Sequence, residues 1–140
     1  MYHFIQKFHS GWAYLALLLL FIASLNSLSG YLTKKEFTPK DRKIALFALI
    51  SMHIQLFVGL ILYFVSPYGK ESFGLMEDAA LRLTSLEHPL VNIIAIVLIT
   101  IGWSKHKKAT TSETKFKTLY MPYIIALLLV LSRIPWNLWF

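Results

Sequence analysis

The sequence predicts an all-α integral membrane protein, an up-down-up-down four-helix bundle with both termini outside. Four apolar runs, each about the 20 residues that a helix needs to cross roughly 30 Å of hydrocarbon, are the first observation. Composition is the second: 56% of the 140 residues are hydrophobic and 15% charged, with a mean hydropathy of +0.58, which leaves no polar surface for a large soluble domain. The third is where the cations fall. Lys34, Lys35, Lys40, Arg42 and Lys43 form one group and Lys105, Lys107, Lys108, Lys115 and Lys117 another, with apolar sequence between.

The spans fall near 9–31, 44–66, 83–104 and 119–136, so that residues 1–140 form a single transmembrane bundle. The first is too long for a cleaved signal peptide ending at Ser27-Leu28-Ser29, and the basic group right after it resists translocation. Segments Leu32 to Lys43, Pro67 to Asp78 and Lys105 to Thr118 separate the spans with Lys, Pro and Gly. The first and third of these carry the basic groups and lie on one side, the cytoplasmic side of a bacterial inner membrane by the charge rule for short loops. Tyr31, Tyr63, Tyr68, Trp103, Tyr120, Trp136 and Trp139 stand near span ends, as interfacial aromatics do. Short connections make sequential spans antiparallel neighbours, with spans 1 and 3 diagonal and spans 2 and 4 diagonal.

Topology accounts for the net charge of +7, and membrane lipid rather than nucleic acid is the partner it implies. With no cysteine, disulfides, iron–sulfur clusters and thioether-linked haem are excluded. Ser10, Ser51, Ser85 and Ser132 belong to no triad, and no P-loop or zinc-protease motif is present.

Function therefore rests on polar residues inside the apolar runs. Ionisable groups at membrane depth face a bundle interior, a cofactor or a water path. With about 1.5 Å of rise per residue, His53 lies about 13 Å above the cytoplasmic boundary, Arg133 about 20 Å, His88 about 22 Å and His9 about 33 Å. The outer half thus collects His9, Glu87, His88 and Arg133. Glu87 and Arg133 match in depth and are expected to pair, whether for function or only to pin span 3 to span 4. Pro89 either bends span 3 beside His88 or begins it, leaving Glu87 and His88 on the outer surface.

Four-helix bundles build cofactor sites from facing side chains. His9 and His88, on diagonal spans, could approach a haem from opposite sides. Ala13 and Ala16 share the face of His9, Asn92 and Ala95 that of His88, and Arg133 is available to a propionate. The nominal depth gap of about 11 Å is the obstacle. His53 with His88, on neighbouring spans, suits a small metal ion or a hydrogen bond better, although Gln55, Asn92 and Glu87 do not complete a zinc or copper ligand set.

The set His9-Ser10-Gly11-Trp12, His53-Ile54-Gln55 with Gly59 and Tyr63, Glu87-His88-Pro89 and Arg133-Ile134-Pro135-Trp136 resembles a group of small bacterial four-span membrane proteins sometimes labelled cytochrome b-like. The likeness covers nearly the whole chain and implies haem b, with these positions as its functional set. Ala13-Tyr14 stands where the resemblance implies Arg-Trp, which removes a propionate partner from span 1. A looser architectural likeness is to the four-helix halves of haem A synthase. The expectation is a b-type haem protein passing electrons within the membrane, with His88 and His9 as axial ligands and His53 as a substitute. The alternatives are an accessory subunit of a larger respiratory or transport complex, and a proton or quinone path through the staggered histidines.

Overall fold

A computed structural model describes residues 2–72, 74–75 and 77–136. Trp139 lies outside them. The described residues form four long helices, α1 (Tyr2–Leu32), α2 (Pro39–Val65), α3 (Ala79–Lys108) and α4 (Ser112–Ser132), each long and apolar enough to cross a membrane. The chain is an all-α four-helix bundle.

All four helices overrun their apolar cores at one end or both, because the flanking residues continue the helix until a specific signal stops it. Helix α1 ends in paired main-chain bonds, Lys35 N–H to the Gly30 carbonyl at 3.0 Å and Lys34 N–H to the Tyr31 carbonyl at 3.4 Å. These bonds require a left-handed residue, and Lys34 takes that role at φ 54°. Thr38 then caps α2, with Pro39 in its first turn and Asp41 closing the capping box. Asp41 is buried yet accepts from Asn26 of α1 at 3.0 Å, from the Thr38 main chain at 2.9 Å and from Lys35, which ties the first loop to both helices it joins. Helix α2 stops at Val65 because Pro67 forces Ser66 into an extended conformation.

Helix α3 starts on Asp78, whose carboxylate accepts from Ala80 and Leu81 main-chain N–H groups. Its backbone then passes through one π turn, Leu83–Glu87, before returning to α geometry at His88. Pro89 lacks an N–H, and the π turn immediately before it, closed by the His88 N–H on the Leu83 carbonyl, absorbs that interruption without ending the helix. The helix therefore does not begin at Pro89, and Glu87 and His88 lie within it. Helix α4 stops at Ser132, short of position 136, because the residue before Pro135 is barred from α geometry.

Helix α1 packs against α2 and α4, α3 packs against α4, and the α2–α3 seam is the thinnest of the four adjacent contacts. Spans 1 and 3 are diagonal, as are 2 and 4. Small buried residues, Ala23, Ser24, Ala45, Ala48, Ala95 and Ala126, let the backbones approach, the usual basis of helix packing where no hydrophobic drive exists between helices and lipid. Leu18, Phe21, Phe47, Phe57, Ile94 and Leu128 face outward. Polar side chains bond across the bundle to main-chain carbonyls: Trp12 Nε1 to Ser51 at 2.9 Å and the buried Tyr123 hydroxyl to Ala45 at 2.9 Å.

Candidate functional site: two imidazoles across the bundle

The half of the bundle away from the two basic loops holds a cavity of about 180 Å³, far more than the roughly 10–15 Å³ that one water needs on such a measure. All four helices line it. Helix α1 contributes His9, Ala13 and Ala16, α2 contributes Gln55, Gly59 and Tyr63, α3 contributes His88 and Asn92, and Val130, Ile134 and Pro135 close the fourth side.

His9 and His88 meet here, with ring centroids 6.4 Å apart and planes at 84°. The depth gap narrows because the two span ends used as zero are not level. Gly30 packs against Phe116 of α4, whereas Gly102 packs against Thr118 and Pro122, about a turn further along. That offset removes about half of the nominal gap.

The spacing is informative. A direct hydrogen bond of about 2.9 Å between facing ring nitrogens would bring the centroids to about 5 Å. At 6.4 Å the rings stand further apart than a direct hydrogen bond would set them, so His9 and His88 could hold a group between them. Among the described residues no three His, Asp or Glu side chains cluster as a metal site. A macrocycle that brings four ligands of its own needs only the two imidazoles, so this donor set fits a bis-histidine haem better than a protein-ligated ion.

His88 is oriented from behind. Its Nδ1 lies 3.0 Å from the Arg133 carbonyl and 3.1 Å from the Asn92 amide nitrogen. A carbonyl only accepts, so Nδ1 carries the hydrogen and donates to Arg133. The Asn92 amide donates to the His88 main-chain carbonyl at 2.6 Å. Nε2 keeps its lone pair. The Arg133 carbonyl is available because Pro135 ends α4 at Ser132.

Searches of protein-family models, curated proteins and solved structures find no match to this chain. The assignment of a role therefore rests on geometry.

The remaining residues separate clearly. Arg133 sits just beyond α4, where its guanidinium donates to the Ser132 carbonyl at 2.9 Å and its main chain holds His88. The expected Glu87–Arg133 pair does not form, because Glu87 pairs with Arg82, five residues earlier on its own helix, at 3.3 Å. His53 is exposed on the α2–α3 seam, with Nδ1 2.8 Å from the Leu49 carbonyl and Nε2 3.3 Å from the Thr100 hydroxyl. It is not brought to the cavity. Gln55 is: residues two apart on a helix do not share a face. The signal for this was the polar and small series Gln55, Gly59 and Tyr63 at four-residue intervals.

Proposed function

We propose that this chain is a b-type haem protein that passes electrons within the bacterial cytoplasmic membrane, with His9 and His88 as the axial pair. The 6.4 Å separation of their rings across diagonal helices carries the reading. Haem b, when bound, supplies reversible one-electron exchange at an iron held by two imidazoles.

The chain's own residues do the rest. His88 offers Nε2 because its Nδ1–H is held by the Arg133 carbonyl, a contact that fixes the ring and raises its basicity. Ala13 and Ala16 leave space beside His9, while Ile96, Val130 and Ile134 line the chamber with apolar side chains. The Arg133 guanidinium, at the outer rim, is the cation available to a propionate. With the two basic loops on the cytoplasmic side, the start of α1 and the end of α4 face outward. The axial pair then lies nearer the outer surface, within reach of a membrane quinone or a respiratory subunit on that side.

Replacement of the histidines one at a time tests the assignment. His88→Ala and His9→Ala protein, purified from haem-replete cells, is expected to lose most of its haem, while His53→Ala keeps it. Unchanged haem content in His88→Ala would overturn the axial assignment.

A further inference from the structure

Helix α2 supplies no ligand, yet two of its residues converge on His9. Gln55 Nε2 donates to the His9 main-chain carbonyl at 2.8 Å. That contact decides which end of the amide is nitrogen, since a carbonyl cannot accept from an oxygen. Gln55 Oε1 is then the far end, and it is buried without a hydrogen-bond partner, as is His9 Nδ1. Two orphaned polar atoms on residues already joined, both lining one chamber, are costly apart and complementary together.

We infer that Gln55 and Gly59 are positioning residues for His9, a role that rests on the haem reading for its purpose. Oε1 carries no proton, so a direct link from His9 to Gln55 requires the hydrogen on Nδ1. Nε2 is left as the lone-pair nitrogen, the state that the Arg133 carbonyl imposes on His88. Gly59, one turn beyond Gln55 on the same face, gives the ring its place. A Cβ there would lie 3.1 Å from His9 Cε1 and 3.6 Å from Nδ1, so a side chain would push the imidazole off the α2 backbone. Each imidazole thus has one acceptor behind it, from α4 for His88 and from α2 for His9, and partners of this kind govern metal affinity by about 10- to 100-fold.

The test uses full-length, haem-free protein in nanodiscs with ¹⁵N-labelled histidine, and then the same variants loaded with haem b. Wild-type His9 is expected as the Nδ1–H tautomer. Gln55→Leu is expected to lose that preference while His88 keeps its own, and Gln55→Glu, which retains an oxygen acceptor, to restore it. With haem, Gln55→Leu should bind about 10- to 100-fold more weakly, and Gly59→Ala should shift the low-spin electron paramagnetic resonance g-values with the tautomer intact. His9 found as the Nε2–H form in wild type, or equal tautomer populations in wild type and Gln55→Leu, would overturn the inference. Should Gln55→Leu not fold, unchanged g-values in Gly59→Ala would overturn the role of α2. Failure of haem to bind at all would defeat the haem reading, and the haem-free tautomer result would still decide this one.

Discussion

His88 of the central pair is oriented by a main-chain oxygen rather than by a charged side chain, and the partner inferred for His9 is an amide oxygen. His88 is held by the carbonyl of Arg133, so the identity of that side chain matters less than the position of its backbone. Arg133→Ala is expected to keep both axial ligands and an unchanged low-spin spectrum, losing only the propionate contact. Pro135→Ala, by contrast, lets α4 continue and withdraws the carbonyl into a helical hydrogen bond, and a shift of the His88 tautomer measured by ¹⁵N spectroscopy would register it. His9 and His88 were legible in the sequence as ionisable groups in apolar runs and as a pair across diagonal spans, but the depth gap between them was overstated, since counting rise from span ends assumes level ends. Gly30 against Phe116 and Gly102 against Pro122 set that offset, and such lateral contacts leave no mark in periodicity. The Glu87–Arg133 pairing was misjudged for a related reason. Depth arithmetic ignored both Arg82, a nearer partner on the same helix, and the ability of Pro135 to remove Arg133 from α4.

Helix ends carry the local stability of the bundle. Lys34 occupies a left-handed conformation at φ 54° where glycine is usual, at a cost of roughly 1–2 kcal/mol for an L-residue. Lys34→Gly is expected to stabilise the folded protein by about 1 kcal/mol, read as a higher midpoint of thermal unfolding in detergent. Asp41 works in the opposite sense. Buried and bonded to Asn26, Lys35 and Thr38, it joins α1 to α2, and Asp41→Ala should destabilise the bundle by about 1.5–3 kcal/mol, typical of hydrogen bonds to a charged group. The existence of all four helices was legible because about 20 consecutive apolar residues admit few alternatives. Their ends were less so: capping by Thr38 and Asp78 and the π turn before Pro89 extend helices beyond the hydrocarbon-length stretch, and those signals lie in polar sequence that a hydropathy window discounts.

Across the whole molecule, the bundle is tight where Ala and Ser residues face one another and open where His9, Gln55, Gly59 and His88 converge. The cavity thus sits toward the end opposite both basic loops. With no cysteine in the chain, single cysteines report topology cleanly. One at Lys34 or Lys107 is expected to react with an impermeant thiol reagent only from the cytoplasmic side, and one at Glu77 only from the outer side. Labelling of Lys34→Cys from outside would invert the proposed orientation. Membrane character follows from composition, which is summed over many residues. The site depends on a handful of contacts between helices, which is why the two histidines could be singled out from sequence while the Arg133 carbonyl and Gln55 beside them could not. The most direct test of the central claim is the oxidised and dithionite-reduced absorption spectrum, with a pyridine haemochrome assay, of wild-type protein purified in mild detergent from haem-replete cells. The expected result is a low-spin b-type spectrum at about one haem per chain, bound through the two imidazoles. Colourless protein from those cells would contradict it.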